Sequence, residues 1–176
     1  MRSARAVPAE LAGALELTRA DRVLAWSPLV GGGAAVATVA GLRVLTPRGT
    51  TVTGSWSEVD HAVWNADSRT AAVWWAGRRQ ATPLELEDAS RLPEVIRERV
   101  QSSVVLSSAV DLGSGRVVRI ALRRGQDGAV FGQVLPTPGV RLDDPVVAGL
   151  VESALADLRA EAGIDVEAAT PSLREG

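Results

Sequence analysis

The segment SWSEVDHAVWNADSRTAAVWWAGRRQATPLELE, residues 55–87, carries the pattern from which the fold class is predicted. Four of the five tryptophans of the chain lie in this segment, within short apolar runs that are interrupted by turn residues. Asn65 with its polar neighbours marks one turn, and Gly77 with the two arginines after it marks another. Short apolar runs separated by tight turns are typical of neighbouring antiparallel strands.

The same pattern extends in both directions from this segment. Strands are predicted at residues 22–27, 34–39, 42–46, 50–54, 58–64, 70–76 and 81–87. The apolar period then changes from two to about 3.6 residues around Leu92, Val95, Ile96 and Val100, which predicts a helix. Short antiparallel strands followed by one amphipathic helix indicate a small antiparallel β-barrel or sandwich that is closed by a helix, and of these we predict the barrel.

The chain continues with a second group of predicted elements. Strands are predicted at 103–112, 116–123 and 129–135, followed by a helix that begins at Pro145 behind the N-cap Asp144 and ends near Gly163. We therefore predict an α+β protein in four parts. These are an N-terminal segment at 1–20 with a short helix, a barrel domain at 21–104, a β-β-β-α extension packed on it at 105–163, and a flexible tail at 164–176.

Composition limits the classes of function. The chain has 176 residues, of which 46% are hydrophobic, so it can bury a core. All 19 basic residues are arginines, and 21 acidic residues give a net charge of −2. This balance argues against a general nucleic-acid or anionic-membrane binder, because such binding depends on surplus positive charge. The chain has no cysteine, which excludes disulfides, thiolate nucleophiles and cysteine-based metal sites.

One uncharged run requires a choice between a membrane span and strands. The 20 residues between Arg22 and Arg43 carry no charge, which is long enough to cross a bilayer. Glycines at 31–33 and 41 interrupt the run, and most of the remainder is alanine and valine, so two strands around a glycine turn explain it better. Glu10 and Glu16 interrupt what would be the apolar core of a signal peptide. We expect a cytoplasmic protein.

Candidates for chemistry are few. His61 is the single histidine, with Asp60 beside it and Ser57 four residues before it. Because successive residues of a strand point to opposite faces, Asp60 and His61 are not expected to act together in a catalytic triad. No familiar metal-ligand spacing is present, and the glycines at 31–33 have no lysine that could complete a phosphate-binding loop. We predict no catalytic residue, no metal, no cofactor and no enzymatic activity.

Two features favour binding. Trp74 and Trp75 are predicted to lie on opposite faces of one strand, so one of them lies outside the core, either as an interface anchor or beneath the extension. Arginine pairs stand beside glycine turns, where they either keep hairpin tips soluble or bind an acidic partner or a phosphate. The candidate binding residues are Trp74, Trp75, Arg78, Arg79, Arg123 and Arg124.

A family resemblance rests on three short motifs. GLRVL at 41–45, SWSEV at 55–59 and AVW at 62–64, followed by the closing helix, resemble the bacterial pleckstrin-homology-like and GRAM-like domains. The chain also looks like a set of actinobacterial proteins in which this unit precedes a three-strand and helix extension. The resemblance implies a barrel plugged by a helix. It assigns no activity.

Eukaryotic members of the resembled family bind phosphoinositides through basic residues in the loop between the first two strands. Here that loop is PLVGGG at 28–33, which holds no cation, so headgroup binding is not expected. Its apolar tip, Leu29 and Val30, either touches a membrane or packs on its own domain. We favour a non-enzymatic protein-interaction or scaffold module. Its partner is predicted to be a protein, and in the more specific version of this hypothesis the partner is acidic. The alternatives are a peripheral-membrane or small-ligand binder and, third, an enzyme.

Overall fold

The computed structural model describes residues 6–125 and 127–164. The chain divides into two compact units, Met1–Gln101 and Ser102–Gly176. The dependence of the extension on residues 21–104 stays a prediction, and the predicted flexible tail lies almost wholly outside the described residues. In the described part of the chain, no helix is long and apolar enough to cross a membrane.

The first unit begins with helix α1 and a four-stranded antiparallel sheet. Its elements are α1 Ala9–Ala14, β1 Val23–Pro28, β2 Ala34–Thr38, β3 Gly41–Leu45 and β4 Thr51–Ser55, with strand order β1-β2-β3-β4. The three glycines between β1 and β2 all have positive φ, as the sharp turn requires. Leu15, the residue directly after α1 in the sequence, is buried in a small cluster with Trp26 and Val36.

The second sheet of this unit is antiparallel and three-stranded. After a 3₁₀ turn at Trp56–Glu58 come β5 Val59–Asn65, β6 Thr70–Trp75, β7 Thr82–Glu85 and helix α2 Leu92–Ser103, with strand order β5-β6-β7. The two sheets and α2 share one core, to which Leu42, Val73 and Ile96 contribute. Trp56 is 6% exposed in this core, and its indole N–H donates a hydrogen bond to the Thr38 carbonyl at 3.0 Å.

The prediction of a single closed barrel is wrong. Among the described residues, the strands form two separate sheets in this unit, and the β pairing between the sheets consists of one isolated antiparallel bridge, Leu29 with Leu86. The 3₁₀ turn between β4 and β5 interrupts the extended backbone. It is held by the Ser55 backbone N–H, which donates to the Glu58 carboxylate at 2.8 Å. Local turn patterns predict which neighbouring strands pair, but closure depends on contacts between distant segments.

The second unit is a three-stranded antiparallel sheet with one helix. It contains β8 Val104–Asp111, β9 Val117–Arg124, β10 Val130–Pro136 and α3 Pro145–Glu161, with strand order β10-β9-β8. The Asp144 carboxylate caps α3 by accepting the backbone N–H of Val146 at 2.9 Å. The helix packs apolar side chains on one face of the sheet, and this cluster is the core of the unit: Val118, Ile120, Leu122, Val151, Leu155 and Leu158.

Candidate functional site

The pairing of β5 with β6 contains a bulge at Asp60. Val59 pairs with Trp75 and His61 pairs with Trp74, so Asp60 is an extra residue on β5. The bulge ends the strict alternation of side chains. It allows His61 Nδ1–H to donate to Asp60 Oδ2 at 2.8 Å, although the sequence predicts that these two side chains point to opposite faces. This part of the prediction is wrong because periodicity does not signal a bulge.

The two adjacent tryptophans of β6 lie in different environments. Trp75 is 5% exposed in the core, and its indole N–H donates to the Thr82 hydroxyl at 3.0 Å. Trp74 is half-buried on the opposite face, where its ring stacks on His61 with 4.5 Å between centroids and 8° between planes. The prediction of opposite faces is therefore confirmed. The ring outside the core is Trp74.

The middle of the sheet face that carries Trp74 is apolar, while Asn65, Thr70 and Glu85 form a polar row on the same face next to the turn at 66–69. Val63 pairs with Ala72, and Ala72 pairs with Pro83 of β7, so the three side chains form a row beside the stacked rings. Val63 is 54% exposed and Pro83 is also exposed. We call this surface the outer face, and it consists of His61, Val63, Ala72, Trp74 and Pro83. An exposed row of this kind is unusual because sheet faces in contact with water normally carry polar side chains.

A further exposed tryptophan, Trp64, stands near the end of β5. It is 41% exposed, next to Val63, and precedes the turn at 66–69. Trp64 belongs to the AVW motif at 62–64, but its exposure was not predicted from the sequence. The position of Trp64 next to the Asn65 turn was the available signal, since a side chain at a strand end can escape the core.

The arginine pairs behave differently from each other. Arg78 and Arg79 are exposed in the turn between β6 and β7, where the Arg78 backbone N–H donates to the Trp75 carbonyl at 3.0 Å. Their guanidinium groups are therefore accessible beside the outer face. Arg124 is exposed, and its Nη1 donates to the Gly128 carbonyl at 3.4 Å.

The prediction that Arg123 lies at an exposed hairpin tip is wrong. Its side chain is 2% exposed, and it donates through Nη1 to the Ser103 hydroxyl at 2.5 Å and through Nε to Gln133 Oε1 at 3.1 Å. A buried guanidinium that is engaged in this way belongs to the packing of the second unit, not to a contact surface. The pairing of residues in sequence hid the difference, because neighbours on a strand point to opposite faces.

A second cluster anchors the N-terminal segment to the first sheet. Arg43 donates through Nη1 to the carbonyls of Leu15 and Glu16, both at 3.0 Å, and through Nη2 to Asp21 Oδ1 at 2.9 Å. The Thr18 backbone N–H, which donates to Asp21 Oδ2 at 2.8 Å, does most to lower the pKa of Asp21. The Thr18 hydroxyl and Arg43 lower the pKa of Asp21 further, while burial opposes them.

A shallow groove of about 410 Å³ adjoins this cluster. It is lined by Ala6, Val7, Ala12, Leu17, Thr18, Arg19, Asp21 and Val23. Because the Asp21 carboxylate already accepts hydrogen bonds from Thr18 and Arg43, the groove offers mainly apolar surface to a ligand. Local sequence patterns do not predict this cluster, since Asp21 and Arg43 are 22 residues apart.

The residues considered for catalysis or for membrane contact are placed as follows. Ser57 is buried, and its hydroxyl lies 3.0 Å from the Ser55 hydroxyl in a hydrogen bond. Within residues 6–125 and 127–164, no group of three or more histidine, cysteine or acidic side chains could hold a metal ion. Leu29 is 1% exposed in the core, which leaves Val30, at 42%, as the exposed apolar residue of that loop tip.

Comparison with known proteins gives no relative from which a function could be transferred. No protein-family model, no curated protein and no solved structure matches the chain. The resemblance to the pleckstrin-homology-like and GRAM-like domains therefore stays a prediction that rests on the motifs at 41–45, 55–59 and 62–64.

Proposed function

We propose that this protein is a non-enzymatic interaction module that binds a protein partner through the outer face of the β5-β6-β7 sheet. The single observation that carries the proposal is the stacked pair of His61 and Trp74 on an exposed sheet face. Tryptophan is enriched among the residues that dominate binding energy, because it offers a large contact area and loses little side-chain entropy.

The stack restricts the tryptophan before any partner arrives. His61 covers one face of the Trp74 ring, and its own orientation is fixed by the hydrogen bond to Asp60 at 2.8 Å. The Trp74 side chain is therefore already restricted in its rotation before a partner binds. Preorganisation of this kind strengthens binding because less conformational entropy is lost on association.

The surroundings of the outer face define the chemistry of the partner. Val63 and Pro83 offer apolar contact area next to the stack, and Arg78 and Arg79 offer exposed positive charge at the adjoining turn. We propose a partner that presents an apolar patch with acidic residues at its border. The arginines then contribute at the rim, where charge affects the association rate and the salt dependence most.

The test compares two valines of similar exposure in the same unit. Val63→Glu places a charge on the outer face, and Val39→Glu places one at a 45% exposed site between β2 and β3. Proteins captured by the immobilised full chain are quantified for the wild type and both variants. We expect Val63→Glu to lose a specific captured protein that Val39→Glu retains, and direct titration of that protein to show about tenfold or more weaker binding.

Further variants separate the parts of the surface. Replacing both Arg78 and Arg79 with Glu should weaken binding by about 0.5 to 2 kcal/mol, with a smaller effect in high salt, because the contacts are at the rim. Equal capture by wild type and Val63→Glu would contradict the proposal. If Val63→Glu instead loses binding to lipid vesicles and retains its protein partner, the result would favour the peripheral-membrane alternative. A measured turnover that His61→Ala abolishes would favour an enzyme.

A further inference from the structure

Strand β8 forms one edge of the β10-β9-β8 sheet, and beyond its irregularity between Val104 and Leu106 it has no further bulge, no proline and no charge before Asp111. Natural edge strands are protected against pairing by proline, bulges, charges or short length. The other described edge strands have such features. They are Pro28 in β1, the short length of five residues in β4, the bulge at Asp60 in β5, Pro83 in β7 and Pro136 in β10. After its irregularity between Val104 and Leu106, β8 runs regularly to its end, and its first charged residue is Asp111.

The middle of β8 is accessible from both sides of the sheet. Ser107, Ser108 and Ala109 are consecutive and all exposed, so side chains on both faces of the strand are uncovered there. Their small size allows another backbone to approach closely. This run is uncharged, so it does not repel an identical run.

Helix α3 adds a second observation, because its exposed apolar flank lies on the β8 side. A Cβ placed on Gly132 of β10 would lie 2.8 Å from Leu155 Cδ2 and 3.6 Å from Arg159 Nη2, so the Arg159 flank of α3 faces β10. Leu150 precedes Arg159 by nine residues, and at about 100° per residue this places it on the opposite flank. Leu150 is 44% exposed, and Val146, one turn earlier, is 72% exposed.

We infer that β8 pairs antiparallel with β8 of a second copy of this chain, which joins two three-stranded sheets into one six-stranded sheet. A twofold axis at Ser108 places Ser108 opposite its own copy. Strands in a sheet are about 4.8 Å apart, and α3 packs over β8 and β9. The two α3 helices therefore run about 10 Å apart, which is a normal helix packing distance. Val146 and Leu150 are then covered by the partner's α3.

A second copy is the occupant that the chemistry favours. The exposed run carries no charge that could select a different chain, and the net charge of −2 gives only weak repulsion between copies. Closed twofold symmetry is also the commonest form of self-association in soluble proteins. The inference does not depend on the proposed function, since β8 and α3 belong to the second unit and the outer face belongs to the first.

The first experiment measures self-association of the full chain by sedimentation velocity over a wide concentration range. We expect a dimer for the wild type. Ser108→Lys and Ser108→Glu should each lower the association constant at least about tenfold, because like charges then lie opposite each other, and an equimolar mixture of the two variants should restore dimers. Thr53→Lys, at an exposed position of the edge strand β4, serves as the matched control and should leave the dimer unchanged.

Two further variants test the geometry. Leu150→Asp should weaken the dimer, whereas Ala156→Asp, at an exposed position of α3 away from this flank, should not. Since the chain contains no cysteine, Ser108→Cys gives a single thiol, and mild oxidation should link it into a covalent dimer faster than Thr53→Cys. Circular dichroism checks that each variant is folded. A wild-type monomer at all concentrations, or a dimer that tolerates Ser108→Lys and Leu150→Asp, would overturn the inference.

Discussion

Trp56 and Trp64 show how strongly the tertiary context decides the contribution of one residue type. Trp56 is 6% exposed and donates a hydrogen bond to the Thr38 carbonyl, whereas Trp64 is 41% exposed. We expect Trp56→Ala to lower the free energy of unfolding by about 3 to 5 kcal/mol, because it leaves a large cavity in the core. Trp64→Ala is the matched control and should cost less than about 1.5 kcal/mol. Urea unfolding measures both, and equal losses would mean that Trp56 is misplaced.

Asp21 predicts a specific dependence of stability on pH. Hydrogen bonds from Thr18 and the nearby Arg43 lower the pKa of this carboxyl in the folded state from its ordinary value of 3.8. A carboxyl with a depressed folded-state pKa stabilises the fold above its unfolded pKa, and this contribution disappears as the pH falls through the folded value. The stabilisation from Asp21 should therefore be complete above about pH 5 and decrease progressively as the pH falls below that value.

The measurement is the free energy of unfolding between pH 6 and pH 2.5 for the wild type and for Asp21→Asn. The variant should be less stable at neutral pH and should lose less stability on acidification. Asp143→Asn is the control: the pKa of Asp143 is also lowered, by its hydrogen bonds from Arg141, but both side chains are largely exposed, at 70% and 80%. Exposed ion pairs contribute little to stability, so this variant should follow the wild type.

At the scale of elements, two glycines have opposite roles. Gly54 in β4 packs against the indole of Trp75, and an added Cβ would lie 2.5 Å from Trp75 Cζ3. We expect Gly54→Ala to destabilise the first unit by about 1 to 3 kcal/mol, because the buried ring must move. Gly149 in α3 has open space around the same position, so Gly149→Ala should stabilise by about 0.5 to 1 kcal/mol through helix propensity. Thermal unfolding distinguishes the signs, and destabilisation by both would refute this assignment.

The bulge in β5 is the element on which the candidate site depends. Asp60 is the extra residue, and the bulge brings its carboxylate to His61 and leaves His61 opposite Trp74. Without the extra residue, strict alternation would place the side chains of Asp60 and His61 on opposite faces. One residue of register therefore decides whether the aromatic stack exists.

For the whole molecule, we expect the two proposed contacts to be independent. The outer face belongs to the first unit and the β8 edge belongs to the second, and they share no residue. Val63→Glu should weaken partner binding about tenfold or more and leave the dimer intact, whereas Ser108→Lys should weaken the dimer and leave partner binding intact. Sedimentation and partner titration on the same two variants give the result. A variant that impairs both activities equally would point to a general folding defect or to one shared surface.

Much of the molecule could be predicted from the sequence because it depends on local preferences. Alternating apolar residues, turn glycines and the capped start at Asp144 locate the strands and helices to within a few residues. The same alternation separates Trp74 from Trp75, although only the structure shows that Trp75 is the one in the core. These features need only the geometry of one strand, one turn or one helix, which neighbouring residues determine.

What required the tertiary structure depends on residues that are far apart or on small departures from regularity. Closure of the predicted barrel fails at the 3₁₀ turn of residues 56–58, and the burial of Arg123 depends on Ser103, which is 20 residues away. The sequence predicted neither the bulge at Asp60 nor the Arg43 contact with Asp21. Periodicity reports which residues are apolar, whereas register, closure and long-range hydrogen bonds depend on how complete sheets pack, and only the folded chain determines that.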